Sequence, residues 1–530
     1  MNRIAKQLPL FVVCIYLLTF ISCNKMPQRS YWPTDEWKTA RAESVGMDSQ
    51  KIAGALSTYT MKNLGLHSLL VIHNGFVVVE GYGYPYTKDT LHNINSVTKS
   101  FTSSLYGIAL EKGLVASIDS PMLNSFPKRL ETEQDERKRK MTIQDILTMR
   151  TGLNWNEDGG GNIESSFSRM LGAEDCLSFI LDTPMLTDSG KTFDYNTGAS
   201  HILTALLEDK TGGLERFARQ SLFSPLGIHT IHWKKDPQGI PMGGYGLSLT
   251  SRDMAKLGFL YLNKGLWDGK QIIPRSWVEE AVKAHTATPG SFSPGYFYGY
   301  QWWISPDKKT YIAQGYGGQN IFVNPDLDLI IVTTAALNYR RLNDYYTLIT
   351  QEIPASCVSA GKIPENKEGE QALDSLLAAW ASPPPAQAIR LPSAFAQNTD
   401  TTFVFDTNEQ DLQSLTITLD SEKGIIIRQT YQSKRGEQGI TECIGSLGGE
   451  YRLSRSVMNE ARYQFGDTPI QTACRLIESG DEQTLLMEIV PLGIVEGPFL
   501  DRFSVENQEI TFTRINQANR RSVTIKGRKT

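Results

Sequence analysis

The sequence predicts a mixed α+β body, an antiparallel sheet combined with a helical region, followed by a smaller all-β domain. Three observations carry this. Strand-like runs stand at both ends of a long helical middle, a proline-rich stretch (Trp380-Ala381-Ser382-Pro383-Pro384-Pro385) follows them, and beyond it only short alternating runs occur. At 530 residues the chain exceeds what one core normally serves, so two domains are expected.

In chain order, Arg3 and Lys6 precede an apolar stretch at 8–21 that is short for a membrane span. It runs into Phe20-Ile21-Ser22-Cys23, which resembles a bacterial lipoprotein cleavage site with Phe20 in place of the usual Leu. Residues 1–23 are therefore expected to be a lipoprotein signal peptide, with Cys23 lipidated and the mature protein exported and held on a bacterial membrane.

Residues 67–73 and 76–82 are β-rich and meet at Asn74-Gly75, a strong hairpin signal. From 96 to 113, Val97, Phe101, Leu105, Ile108 and Ala109 recur at helical spacing, and Gly113 closes the pattern. Helices are also predicted at 142–149, 198–210 and 250–264, the last opened by a Thr250/Asp253 capping box. Strand character returns at 300–304, 310–313, 320–323 and 329–333, which implies one sheet closed by distant segments. This first domain is assigned to 36–360, a linker to 361–388 and an all-β accessory domain, sandwich or barrel, to 389–530.

A net charge of -4 supplies no basic footprint for nucleic acid. The charged run at 131–140 reads as a solvated loop. The seven histidines form no His-Glu-x-x-His element, no Gly-x-Ser-x-Gly elbow occurs, and no metal or cofactor is expected. After Cys14 and Cys23, four cysteines remain, too few for a disulfide scaffold; Cys443 and Cys474 are candidates for one pairing, which geometry must decide.

The chemistry concentrates at Ser96-Val97-Thr98-Lys99. Positions i and i+3 share a helix face, bringing the Lys99 amine beside the Ser96 hydroxyl at the positive end of a helix. A buried lysine loses its proton more readily and serves as a base. Two further pieces follow, Phe193-Asp194-Tyr195-Asn196-Thr197-Gly198 before a helix and Ala313-Gln314-Gly315-Tyr316-Gly317-Gly318-Gln319 on a strand.

Together these resemble the serine β-lactamase and penicillin-binding-protein superfamily. The blocks 141–155 (MTIQDILTMRTGLNW) and 243–277, with Tyr298-Gly299-Tyr300-Gln301-Trp302-Trp303, are similar to its 6-aminohexanoate-dimer hydrolase and esterase subgroup across roughly residues 44–338. The resemblance implies an α/β sandwich of the β-lactamase/transpeptidase type, with Ser96 as nucleophile, Lys99 as base and Tyr195 as acid/base. It also implies an oxyanion hole from the N–H groups of Ser96 and Tyr316, and substrate contacts from Thr197, Gln314, Gly315, Trp155, Tyr245 and Trp302, with Trp303 beside them. Two departures stand out. Thr197 occupies the position of the family's Asn, and Ala313 that of its Lys or His, which weakens assignment as a β-lactamase or a D-Ala-D-Ala-type peptidase. The expected function is hydrolysis of carboxylic esters or small amides through an acyl-enzyme without a cofactor. The alternatives are the β-lactam or peptide reaction, and a catalytically silent surface binding protein.

Overall fold

The computed structural model describes residues 29–157, 165–289, 295–432, 438–457, 470–494, 497–517 and 520–530; the predicted leader and Cys23 lie outside them. The first domain is built on strands β1 (Leu66–His73) and β2 (Phe76–Tyr82), joined by Asn74 and Gly75 at φ 52° and 84°. Both turn residues adopt the left-handed conformation that a tight hairpin requires. Six strands follow: β3 (Thr286–Ala287), β4 (Phe297–Tyr298), β5 (Trp303–Ile304), β6 (Tyr311–Gly315), β7 (Gln319–Asn324) and β8 (Leu329–Ala335). They join the hairpin in the order β2-β1-β8-β7-β6-β5-β4-β3, so the first strand pairs antiparallel with the last, closing the sheet by distant segments as expected.

Every residue of β1 and β8 is buried because both faces of the sheet are covered. The strand period of two sends Leu70, Ile72, Ile330 and Val332 into one core and Leu69, Val71, Leu329 and Ile331 into the other. Helix α1 (Ser49–Tyr59) and a late helix, α5 (Lys367–Ala381), cover the second face. On the first face lie α2 (Thr98–Glu111), α3 (Thr197–Thr211) and α4 (Ser251–Leu262), the last capped by Thr250, whose side chain accepts from the Asp253 N–H. The result is a helix–sheet–helix sandwich.

Three local expectations are corrected. The predicted linker at 361–388 contains α5, because Leu373, Leu376, Leu377 and Trp380 form a helical apolar stripe seated on the second core. Residues 300–304 pair only at Trp303–Ile304. The run at 131–140 is not a simple loop: Glu136–Lys140 is helical, and buried Lys138 donates to the Leu181 carbonyl at 2.7 Å.

The C-terminal domain resolves the choice between sandwich and barrel. Among the described residues ten antiparallel strands, from Thr401–Phe405 to Ser522–Lys529, pair in sequence order and close when Phe403 meets Lys529. Phe395 plugs the interior, which also holds the Arg514–Asp501 ion pair, with Arg514 Nε donating to Asp501 Oδ1 at 2.6 Å. Cys443 and Cys474 are both buried there as free thiols. The barrel touches the first domain near the catalytic motif: the Asn93 N–H donates to the Gly493 carbonyl at 2.8 Å, and Tyr86, stacked on His67, packs beside Val490 and Leu492.

Candidate active site

Ser96 lies on a 3-10 turn, Asn95–Val97, and the α-helix begins only at Thr98, so Lys99 stands in the first turn of α2. Asn95 takes φ 49°, a conformation Asn tolerates better than most residues. Its N–H donates to Asn93 Oδ1 at 3.0 Å and its side chain donates to the Tyr316 carbonyl at 2.8 Å. These bonds tie the nucleophile turn to the end of β6. The approach is close: a Cβ on Gly315 would stand 2.4 Å from the Ile94 carbonyl oxygen. Gly315 is thus required by strand-to-turn packing, a different reason from the substrate approach expected of it.

Lys99 is 1% exposed. Among the described residues its Nζ has three hydrogen-bond partners, Ser96 Oγ at 3.1 Å, Thr197 Oγ1 at 2.9 Å and the Gly244 carbonyl at 2.9 Å. Burial disfavours the ammonium and brings the amine down to about 7, against a smaller opposing pull from Glu157. The Gly244 carbonyl is steadied from behind. Asp236 bonds His201 of α3 at 2.9 Å and accepts from the N–H groups of Gln238 and Ile240, fixing the loop that leads to Gly244.

Tyr195 stacks on Trp303 with centroids 5.8 Å apart, and its ring lies 4.7 Å from Lys99 Nζ. Burial raises its phenol above the ordinary value, a hydrogen bond with Ser96 opposes the rise, and Glu157 adds to it. At neutral pH the phenol keeps its proton while Lys99 can lose one. The structure thus brings Ser96, Lys99 and Tyr195 together, with Tyr316 half exposed beside them at the end of β6.

The outer predicted residues divide. Gln314 donates to the Tyr346 hydroxyl at 2.6 Å. Tyr245 follows Gly244 and meets Phe167 edge-on with centroids 5.4 Å apart. Trp302 is fully buried in the core, packed against Tyr261 and Tyr311, whereas Trp303 backs Tyr195. Thr197 is 2% exposed, and its side chain is committed to Lys99 and Glu157.

Glu157 escaped the sequence reading. It accepts from the Thr197 hydroxyl, from the Thr197 N–H at 3.0 Å and from the Trp155 indole N–H. Trp155 thereby holds a carboxylate in place, where a substrate contact was expected. Burial pushes the Glu157 carboxyl above the usual carboxylate range, against the lowering influence of Lys99 and these three donors. No local pattern could have found it, since its partner Thr197 stands 40 residues away. Among the described residues, no group of three or more His, Cys, Asp or Glu side chains is placed to hold a metal ion.

The beta-lactamase family model matches residues 39–351. The 6-aminohexanoate-dimer hydrolase of Paenarthrobacter ureafaciens is 23% identical over 294 residues, spanning 50% of this chain and 71% of that protein. Among solved structures, EstCE1, a hydrolase with promiscuous acyltransferase activity, has a TM-score of 0.49 at 16% identity, covering 59% of this chain and 99% of its own. An octameric penicillin-binding protein homologue from Pyrococcus abyssi has a TM-score of 0.45 at 16% identity, covering 87% and 96%. With more than half of its length matched by the family model and a 6-aminohexanoate-dimer hydrolase among its sequence relatives, the chain belongs to the beta-lactamase family and is a serine hydrolase.

Proposed function

We propose that the protein hydrolyses carboxylic esters or small amides through an acyl-enzyme on Ser96. The observation that carries this reading is the buried Lys99 amine, 3.1 Å from Ser96 Oγ and brought down to about 7. Free amine takes the Ser96 proton as Oγ bonds to the carbonyl carbon, and the N–H groups of Ser96 and Tyr316 receive the oxyanion. Tyr195 passes its proton to the departing alcohol or amine and regains one from the Lys99 ammonium. Water then attacks the acyl carbon with the same groups acting in reverse, returning Ser96 and releasing the acid.

The choice of ester or small amide over β-lactam or D-Ala-D-Ala peptide is supported by Ala313, buried in the core where a Lys or His would help hold a substrate carboxylate. The hydrolase relatives are in keeping with it. The test is hydrolysis of a short-chain p-nitrophenyl ester. Ser96→Ala is expected to abolish it, and Tyr195→Phe to lower kcat by about 10²-fold or more. Undiminished activity in Ser96→Ala contradicts the reading. Turnover of a chromogenic cephalosporin in preference to the ester moves the assignment to β-lactams, and stoichiometric acylation without turnover moves it to the binding protein.

We also propose that the protein is exported and lipid-anchored through Cys23, on the leader pattern at 1–23. Among the described residues no helix is long and apolar enough to cross a membrane. Metabolic labelling with an alkyne fatty acid should mark the parent and not Cys23→Ser; equal labelling of both refutes the anchor.

A further inference from the structure

The three neighbours of Lys99 Nζ differ in what they can do. The Gly244 carbonyl only accepts. The Thr197 hydroxyl has a single proton, given to Glu157, so toward Lys99 its oxygen can only accept. A neutral amine has two hydrogens and one lone pair. With both hydrogens taken by Gly244 and Thr197, the lone pair is left facing Ser96 Oγ, 3.1 Å away.

This arithmetic depends on Glu157. The carboxylate accepts from the Thr197 N–H at 3.0 Å, from the Thr197 hydroxyl and from the Trp155 indole, three donors that hold it as an acceptor. If the group at 157 donated instead, the Thr197 hydroxyl could turn its proton toward Lys99 and compete with Ser96 for the lone pair. The Thr at 197 and the Glu at 157 are therefore two halves of one device, which accounts for the departure from the family's Asn.

Resting on the Ser96 acyl-enzyme reading, we propose that Glu157 is a positioning residue for acylation: through the Thr197 hydroxyl it fixes the direction of the hydrogen bonds around Lys99, aiming the lone pair at Ser96. In the step itself the Ser96 O–H bond breaks, its proton forms the third N–H bond of Lys99, and the Oγ electron pair goes to the substrate carbonyl. The ammonium then has three hydrogens for three acceptors, Ser96 Oγ, Thr197 Oγ1 and Gly244 O, with the Glu157 charge nearby. Amine and ammonium are both fully hydrogen-bonded without any side chain moving, the condition for a preorganised base. The ionisable groups coupled to Glu157 are Lys99 on α2, Asp194 and Tyr195 before α3, and Tyr298 on β4.

The experiment compares kcat and its pH profile for p-nitrophenyl ester hydrolysis in the full chain and in Glu157→Gln, Thr197→Val, Thr197→Ser and the Glu157→Gln/Thr197→Val pair, with thermal melts to confirm folding. Thr197→Ser keeps the hydroxyl and should stay within about threefold of the parent, while Glu157→Gln and Thr197→Val should each lose about 10²-fold in kcat. The double variant should be no slower than the worse single one, since the two residues act as a unit. In Glu157→Gln the acid limb should also move to lower pH, because the charge that favours the ammonium is gone. A purely packing role would leave that limb in place. Parental kcat and limb in Glu157→Gln, or losses that multiply in the double variant, overturn the inference. Should the single variants prove unfolded, Thr197→Ser alone decides, a loss of about 10²-fold in that folded variant refuting it. Activity surviving in Ser96→Ala is a separate failure, that of the acyl-enzyme reading.

Discussion

At the scale of the residue, function turns on which of two neighbouring groups holds a proton. Lys99 loses charge readily because burial withdraws water from its ammonium, whereas burial of Tyr195 disfavours its phenolate. The sign of the pH dependence follows. Acylation needs the free amine, so kcat/KM for a neutral ester should rise with pH through about 7 and flatten above it. A profile flat across that range would contradict Lys99 as base. Ser96 and Lys99 were legible because their juxtaposition is local, three residues along one helical turn. Glu157 was not, because its contact with Thr197 spans 40 residues of chain and depends on how a loop folds back onto the start of α3. Trp302 and Trp303 show the same limit. They are adjacent in sequence, yet Trp302, just before β5, goes into the core under Tyr261 and Trp303, in β5, goes beneath Tyr195.

At the scale of the element, the site is a junction between the turn before α2, the loop before α3 and the end of β6. The junction is tight, since a side chain on Gly315 would strike the Ile94 carbonyl two residues before Ser96. Gly315→Ala should therefore displace the nucleophile turn and lower kcat by ~10- to 100-fold. Its cost in stability should be smaller, about 1–3 kcal/mol. Steady-state kinetics with a denaturant melt test this, and parental kcat in a folded variant would show that the strand has room to yield. The hairpin, the catalytic helix and the capped α4 were legible because their period and punctuation agree. Helix α5 was overlooked because the prolines that follow it suggested a linker. The stripe Leu373, Leu376, Leu377 and Trp380 has the spacing of a packed face, but only the folded sheet shows that α1 and β2 wait to receive it.

At the scale of the whole molecule, two bodies meet beside the nucleophile. The sequence indicated a second, all-β domain; ring closure was beyond it, because pairing of the first barrel strand with the last is a long-range choice. The barrel's Gly493 carbonyl accepts from Asn93, Asn93 Oδ1 accepts from Asn95, and Asn95 donates to the Tyr316 carbonyl. This chain of bonds links the accessory domain to the strand end that flanks Ser96. Whether the intact protein carries its acyl group on Ser96 can be read by intact-mass spectrometry of the acid-quenched reaction with a slowly deacylated p-nitrophenyl ester. One acyl group should be added, located on the peptide containing Ser96 and absent from Ser96→Ala. Continued turnover with no adduct under any quench, or an adduct that persists in Ser96→Ala, would contradict it.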